Sequence, residues 1–94
     1  MSGLASVVAT VHGRVQGVNF RYFVERHASR LELTGYVRNL LGGRELEVRA
    51  EGKKENLDEL LDYLGSGPPR AKVERVDVEW SDYGGRFGHF GVRY

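Results

Sequence analysis

Arg21 and the segment in front of it, Gly13-Arg14-Val15-Gln16-Gly17-Val18-Asn19-Phe20, hold the residue types with the clearest chemistry in this 94-residue chain. The segment follows an apolar, strand-like run over residues 5–12 and leads into a helix-like run that begins near Phe20. A glycine-containing turn between a strand and a helix collects backbone N–H groups that have no partner inside the helix. The helix macrodipole adds partial positive charge at the same place. Val15, Gln16, Gly17, Val18, Asn19 and Phe20 are therefore expected to form a loop around an anion such as phosphate. Arg21 falls just inside the helix, where a guanidinium can grip the same anion. The pattern lacks the Gly-Lys-Ser/Thr ending of a nucleotide P-loop and does not follow G-x-G-x-x-G. Spacing alone also fits an ordinary strand-to-helix turn with a surface arginine.

A second stretch, Gly35-Tyr36-Val37-Arg38-Asn39, places an asparagine at the end of a strand. Taken together, the two stretches resemble the two signatures of the acylphosphatase family, residues 13–21 the first and residues 35–39 the core of the second. Ala50-Glu51-Gly52 and Gly67-Pro68-Pro69-Arg70-Ala71-Lys72-Val73 also fall where that family has similar segments. The similarity runs from about Ser6 to Tyr94. One departure is Gly42-Gly43, where family members often carry Asp-Gly, and it touches the hairpin rather than the chemistry.

The resemblance implies an enzyme that hydrolyses the mixed anhydride of a carboxylic acid and phosphate. It gives Arg21 a binding and catalytic role and Asn39 the orientation of the attacking water. Such a reaction needs positioning and charge stabilisation more than a covalent nucleophile. Loop N–H groups hold the phosphoryl oxygens, and the arginine neutralises charge that grows on them. An amide is a poor base, but an acyl phosphate has a good leaving group and needs little base help. No cofactor and no metal are expected. The expected ligands are a small-molecule acyl phosphate and, as product-like anions, inorganic phosphate or sulfate. Arg14 adds positive potential without a catalytic role, and Gln16 is expected to matter through its backbone more than its side chain.

The elements that position these residues follow from periodicity. Residues 5–12 read as a central strand, apolar on both faces, with His12 as a strand-end residue. Phe20, Phe23, Val24, His27, Ala28 and Leu31 make one buried helix face over residues 20–33, and Gly35 supplies the positive φ that ends the helix. His27 reads as a buried, neutral, hydrogen-bonded histidine, because no second ligand stands at i+4. Residues 36–40 and 45–50 form a hairpin about Gly42-Gly43, and residues 51–54 connect it to a second helix over 55–64. That helix carries a stripe of Leu57, Leu60, Leu61 and Leu64 and stops at Gly65 to Pro69. Residues 72–81 read as a strand whose core face holds Val73, Val76, Val78 and Trp80, with a register irregularity near Arg75. A short strand over residues 90–94 closes the pattern. The order β-α-β-β-α-β predicts an α+β, ferredoxin-like two-layer sandwich. Its antiparallel sheet has both helices on one face, the first and third strands at the centre and a short C-terminal extra strand.

Composition sets the remaining bounds. Residues 1–94 make one domain, with the first four expected to be flexible. With 40% hydrophobic residues the chain can fill one modest core. The absence of cysteine fits a reducing cytoplasm. A net charge of +1 offers no general attraction for nucleic acid or membrane, and no apolar run approaches a membrane span. A monomer is expected. Two other readings stand beside the enzyme. RNA-recognition modules share this topology, but the polar face of the third strand holds Glu45, Glu47 and Arg49 and no aromatic residue. A noncatalytic phosphate-binding or regulatory domain is the alternative that a phosphate site without turnover would favour.

Overall fold

The computed structural model describes residues 3–94. Its elements run β1 (Leu4–Arg14), α1 (Phe20–Arg30), β2 (Thr34–Asn39), β3 (Glu45–Lys53), α2 (Lys54–Ser66), β4 (Lys72–Ser81) and β5 (Phe90–Arg93). They build one sheet of order β4-β1-β3-β2-β5. The four long strands pair antiparallel, and β5 adds a parallel pairing at the free edge of β2. This is the ferredoxin-like arrangement, with β1 and β3 adjacent at the centre.

Alternation decides which side of the sheet is covered. Val7, Ala9 and Val11 of β1, Val37 of β2, and Leu46, Val48 and Ala50 of β3 are all fully buried. Val24 and Ala28 of α1 and Leu57, Leu60 and Leu64 of α2 join them in a single cluster. Both helices therefore lie on the same face. No described helix is long and apolar enough to cross a membrane.

Several local expectations need correction. Helix α1 stops at Arg30, three residues short of Leu33, and Glu32 rather than Gly35 takes the left-handed conformation, with φ 58°. The Leu33 N–H then bonds back to the Ala28 carbonyl at 2.9 Å, which returns Leu33 to the core. Gly35 lies inside β2 instead, where a Cβ would collide with the Arg49 carbonyl oxygen. Residues 51–53, expected as a connection, continue β3, and Glu51 is buried. Strand β4 has the expected bounds, but Val78 and Trp80 are about 40% exposed and do not belong to the core. It is an edge strand, and only Val73 and Val76 pack against the cluster. The irregularity near Arg75 is present: His12 faces Arg75 and Gly13 faces Val73, so Glu74 has no opposite residue. At the other end of the chain, residues 1 and 2 lie outside the described residues. The Gly3 carbonyl accepts the Lys54 N–H at 2.9 Å, and Leu4 pairs with Lys53.

Candidate active site

Three strands run in one direction. Strands β1 and β2 both pair antiparallel with β3, and β5 is parallel to β2. The loop after β1, Asn39 at the end of β2 and Tyr94 just past β5 therefore emerge at the same end of the sheet. Asn39 follows Val37 by two residues and so turns toward the helix side. Between these parts lies an open pocket of about 390 Å3. Val15, Gly17, Asn19 and Phe20 line it from the loop, with Arg21 and Asn39 beside them. Tyr22, Val92 and Tyr94 complete its wall.

The loop is held from below and curled from within. Val15 and Phe20 are buried and pin its two ends to the core. Gly17 (φ 72°) and Asn19 (φ 64°, ψ 23°) adopt left-handed conformations, which suit backbone that curls around an anion. Asn19 heads α1, yet its side chain makes no capping hydrogen bond and the first turn has no acidic residue. No acidic side chain of the first turn offsets the positive end of the helix, a position that favours an external anion. Val18 packs against the core rather than lining the pocket. Gln16 also stays out of the lining, and its amide acts elsewhere. Its Nε2 donates to the carbonyls of Leu40 at 2.8 Å and Glu45 at 2.9 Å, which ties the loop to the hairpin just beyond Asn39. The side chain therefore does more than the sequence reading assigns to it.

Arg21 is half-buried and lines the pocket from the first turn of α1. Among the described residues no carboxylate pairs with it. Its guanidinium instead stacks over the Tyr94 ring, 4.6 Å from the centroid. The charge remains available for an anion while the stem is held in place. The Asn39 Oδ1 atom is buried and has no hydrogen-bond partner in the protein. An acceptor of this kind costs about 1–3 kcal/mol unless a water or ligand meets it. Backbone donors, one guanidinium and one free amide oxygen can hold a phosphoryl group and accept a hydrogen bond from a water beside it.

Other polar residues from the sequence reading lie apart from this pocket. His12 sits between two carboxylates, with Nδ1 3.0 Å from Glu45 Oε2 and Nε2 2.8 Å from Asp77 Oδ2, and it lines a different depression with Arg44. Arg14 is exposed and outside the lining. His27 is half-buried and stacks on Tyr63 with 3.8 Å between ring centroids. Burial, with help from the charges of Arg26 and Arg30, lowers its pKa below the ordinary value and favours the neutral ring. Among the described residues no three His, Asp or Glu side chains converge on a possible metal position.

Tyr22, Val92 and Tyr94 carry no sequence signal that would have placed them here. Only the parallel docking of β5 brings the latter two to the site. A buried Glu51 carboxylate is a second unexpected feature, accepting the N–H groups of Gly84 at 3.0 Å and Arg86 at 3.2 Å. It fixes the β4–β5 loop whose far end delivers β5.

Residues 7–92 match the acylphosphatase family. A protein of Dehalococcoides mccartyi named acylphosphatase is 50% identical over 86 residues, which cover 92% of this chain and 94% of that protein. The crystal structure of acylphosphatase from Bacillus subtilis superposes with a TM-score of 0.91 at 34% identity, covering 96% of this chain and 99% of that one. The structure of an acylphosphatase from Coxiella burnetii gives 0.90 at 36% identity, covering 97% and 94%. With a match along almost its whole length in sequence and in fold, the chain belongs to the acylphosphatase family.

Proposed function

We propose that this acylphosphatase-family hydrolase cleaves acyl phosphates by direct attack of a water that Asn39 orients, at a phosphoryl group that Arg21 and the loop of residues 15–20 hold. The observation that carries the reading is the buried, unpartnered Oδ1 of Asn39 in the same pocket as Arg21 and an uncapped helix start. The water oxygen attacks phosphorus, and the bond from phosphorus to the acyl oxygen breaks. The electron pair leaves with the carboxylate, and the water proton passes to the phosphate product or to solvent. Carboxylic acids ionise near pH 4, so the leaving group needs no proton at neutral pH. Arg21 and the N–H groups meet the charge that spreads over the equatorial oxygens. Asn39 Oδ1 accepts a hydrogen bond from the water and holds it in line.

The same site would take inorganic phosphate or sulfate as product-like ligands. No cofactor or metal enters the proposed steps. The proposed setting is one domain over residues 1–94 acting as a cytoplasmic monomer, which the lack of cysteine suits. A nucleic-acid role is not favoured. Tyr36 and Phe87 on the helix-free face are already covered by guanidinium groups, Arg93 at 4.1 Å from the Tyr36 centroid and Arg49 at 5.7 Å from that of Phe87. They are not open stacking platforms.

The test is hydrolysis of benzoyl phosphate in EDTA by the parent protein and by Arg21→Ala purified in the same way. The parent turns over, and Arg21→Ala loses at least about 10²–10³ in rate, the usual loss for one oriented transition-state donor. A folded parent without turnover would reject the enzyme and leave a phosphate-binding regulatory domain.

A further inference from the structure

We propose that Tyr22 selects the acyl part of the substrate, and that the pocket favours an uncharged, apolar or aromatic acyl group over one bearing a second anionic charge. The proposal rests on the acylphosphatase reading and concerns the other half of the same substrate.

Tyr22 is 63% exposed and follows Arg21 directly in α1. Two other exposed aromatics have cation partners: Lys54 stands over the Trp80 ring at 4.7 Å, and Arg21 over Tyr94 at 4.6 Å. Tyr22 has no ring, cation or hydrogen-bond partner among the described residues, although it lines the pocket. It also lies off the buried face of α1, which is formed by Phe20, Val24 and Ala28. Packing of the fold therefore does not account for a large ring at this position. A single exposed aromatic needs no explanation by itself, but one that forms the wall of an anion pocket is placed to meet a ligand.

The charges around the pocket point the same way. Among the described residues Arg21 has the one charged side chain in the lining, and the phosphoryl group would engage it. Arg14 lies outside the lining. A second phosphate or carboxylate on the acyl part would find no counter-charge of its own. An aromatic or aliphatic acyl group would meet the Tyr22 ring, Val92 and Tyr94 in the pocket wall. Arg21 and Tyr22 line the same pocket, so a phosphate held by the first leaves the acyl group in a cavity that the second helps to wall.

The experiment compares kcat/KM for benzoyl phosphate, acetyl phosphate and 4-carboxybenzoyl phosphate in the parent, Tyr22→Ala and Tyr22→Phe. The parent prefers benzoyl to acetyl phosphate and gains nothing from the added carboxylate. Tyr22→Ala lowers the benzoyl-to-acetyl ratio about three- to tenfold, the size of one aromatic contact, chiefly through KM. Tyr22→Phe keeps the ratio, because the ring and not the hydroxyl is used. The melting temperature of both variants stays at the parent value. A ratio unmoved by Tyr22→Ala, or a tenfold preference for the carboxylated substrate, overturns the selection while leaving the hydrolase intact. A folded parent that hydrolyses none of the three removes the hydrolase reading and this inference with it.

Discussion

Gln16→Ala should separate the stability of the loop from its catalytic alignment. The Gln16 amide is the side-chain link described between the anion loop and the β2–β3 hairpin, donating to Leu40 O and Glu45 O at 2.8 and 2.9 Å beside the backbone bond from Gly13 N–H to Arg44 O at 3.0 Å. The Glu45 carbonyl also accepts the Leu40 N–H at 3.0 Å, so it stays partly satisfied when the side chain is cut back. The loss is then two part-buried neutral hydrogen bonds, roughly 1–3 kcal/mol in total. For a domain of this length each kcal/mol lowers Tm by about 4–8 °C, so a fall of about 10 °C is expected. The larger effect should fall on turnover. Asn39 sits just before Leu40, and a shift of about 1 Å between loop and hairpin can cost on the order of 10²-fold in rate. We expect kcat to drop about 10- to 100-fold while inorganic phosphate still raises Tm, since Arg21 and the helix start remain. Gln16→Glu should be worse than Ala, because it turns a carboxylate toward two carbonyl oxygens. Steady-state kinetics with benzoyl phosphate and a thermal melt with and without phosphate read both quantities. If Gln16→Ala melts about 10 °C lower but keeps its kcat, the bridge supports the fold and does not align Asn39.

Three further outcomes follow from particular contacts. Asn39→Ala should lower kcat about a hundredfold yet leave Tm equal or slightly higher, because an unsatisfied buried oxygen is removed; a retained kcat would end the water-positioning role. Burial alone would raise the Glu51 carboxyl, but the N–H groups of Gly84 and Arg86 and the charge of Arg49 draw it below its ordinary value of 4.5. The unfolded chain then binds the proton first, so this contribution to stability is complete above about pH 4.5 and is lost as pH falls through the lower native value; Glu51→Gln should flatten the acid limb of a Tm–pH profile, and an unchanged limb would refute the assignment. Gly35→Ala drives a Cβ into the Arg49 carbonyl at φ 138° and should destabilise by well over about 1 kcal/mol, read by urea denaturation.

What the sequence reveals and what it withholds divide along physical lines. Periodicities of 2 and 3.6 report which face of an element is apolar, and Val7-Ala9-Val11, Leu46-Val48 and Leu57, Leu60 and Leu64 of α2 are buried as read, while Leu61 at the edge of the stripe is partly buried. Burial also depends on what lies opposite, which periodicity does not contain. Val78 and Trp80 continue the apolar alternation of β4, yet they lie on an edge strand and remain exposed. Glu51 makes the converse case. Its charge reads as surface, but three backbone and side-chain groups around it make a carboxylate the fitting occupant of a buried position. The end of α1 shows the limit of glycine as a marker. Gly35 is required for close strand approach, and the positive φ that ends the helix falls on Glu32.

The site divides in the same way. An anion cradle at a helix start is a local object, since a strand, a short glycine turn and an arginine within nine residues already contain its donors and its charge. Val15, Gly17, Asn19, Phe20 and Arg21 are legible in this way as lining residues, while the bridging side chain of Gln16 is not. Asn39 was found through its place in a second family-like stretch, and its free Oδ1 is visible only once the strand end is packed beside the loop. The acyl side is the least local part. It depends on β5 joining β2 in parallel, a pairing that no alternation pattern announces and that a carboxylate in β3 helps to hold. Chemistry confined to one turn is legible from residue order. The proposed acyl wall combines Val92 and Tyr94, which only the sheet topology brings to the pocket, with Tyr22, which is local to Arg21 but carries no motif, so variation at Tyr22 should change the acyl group without touching the phosphate.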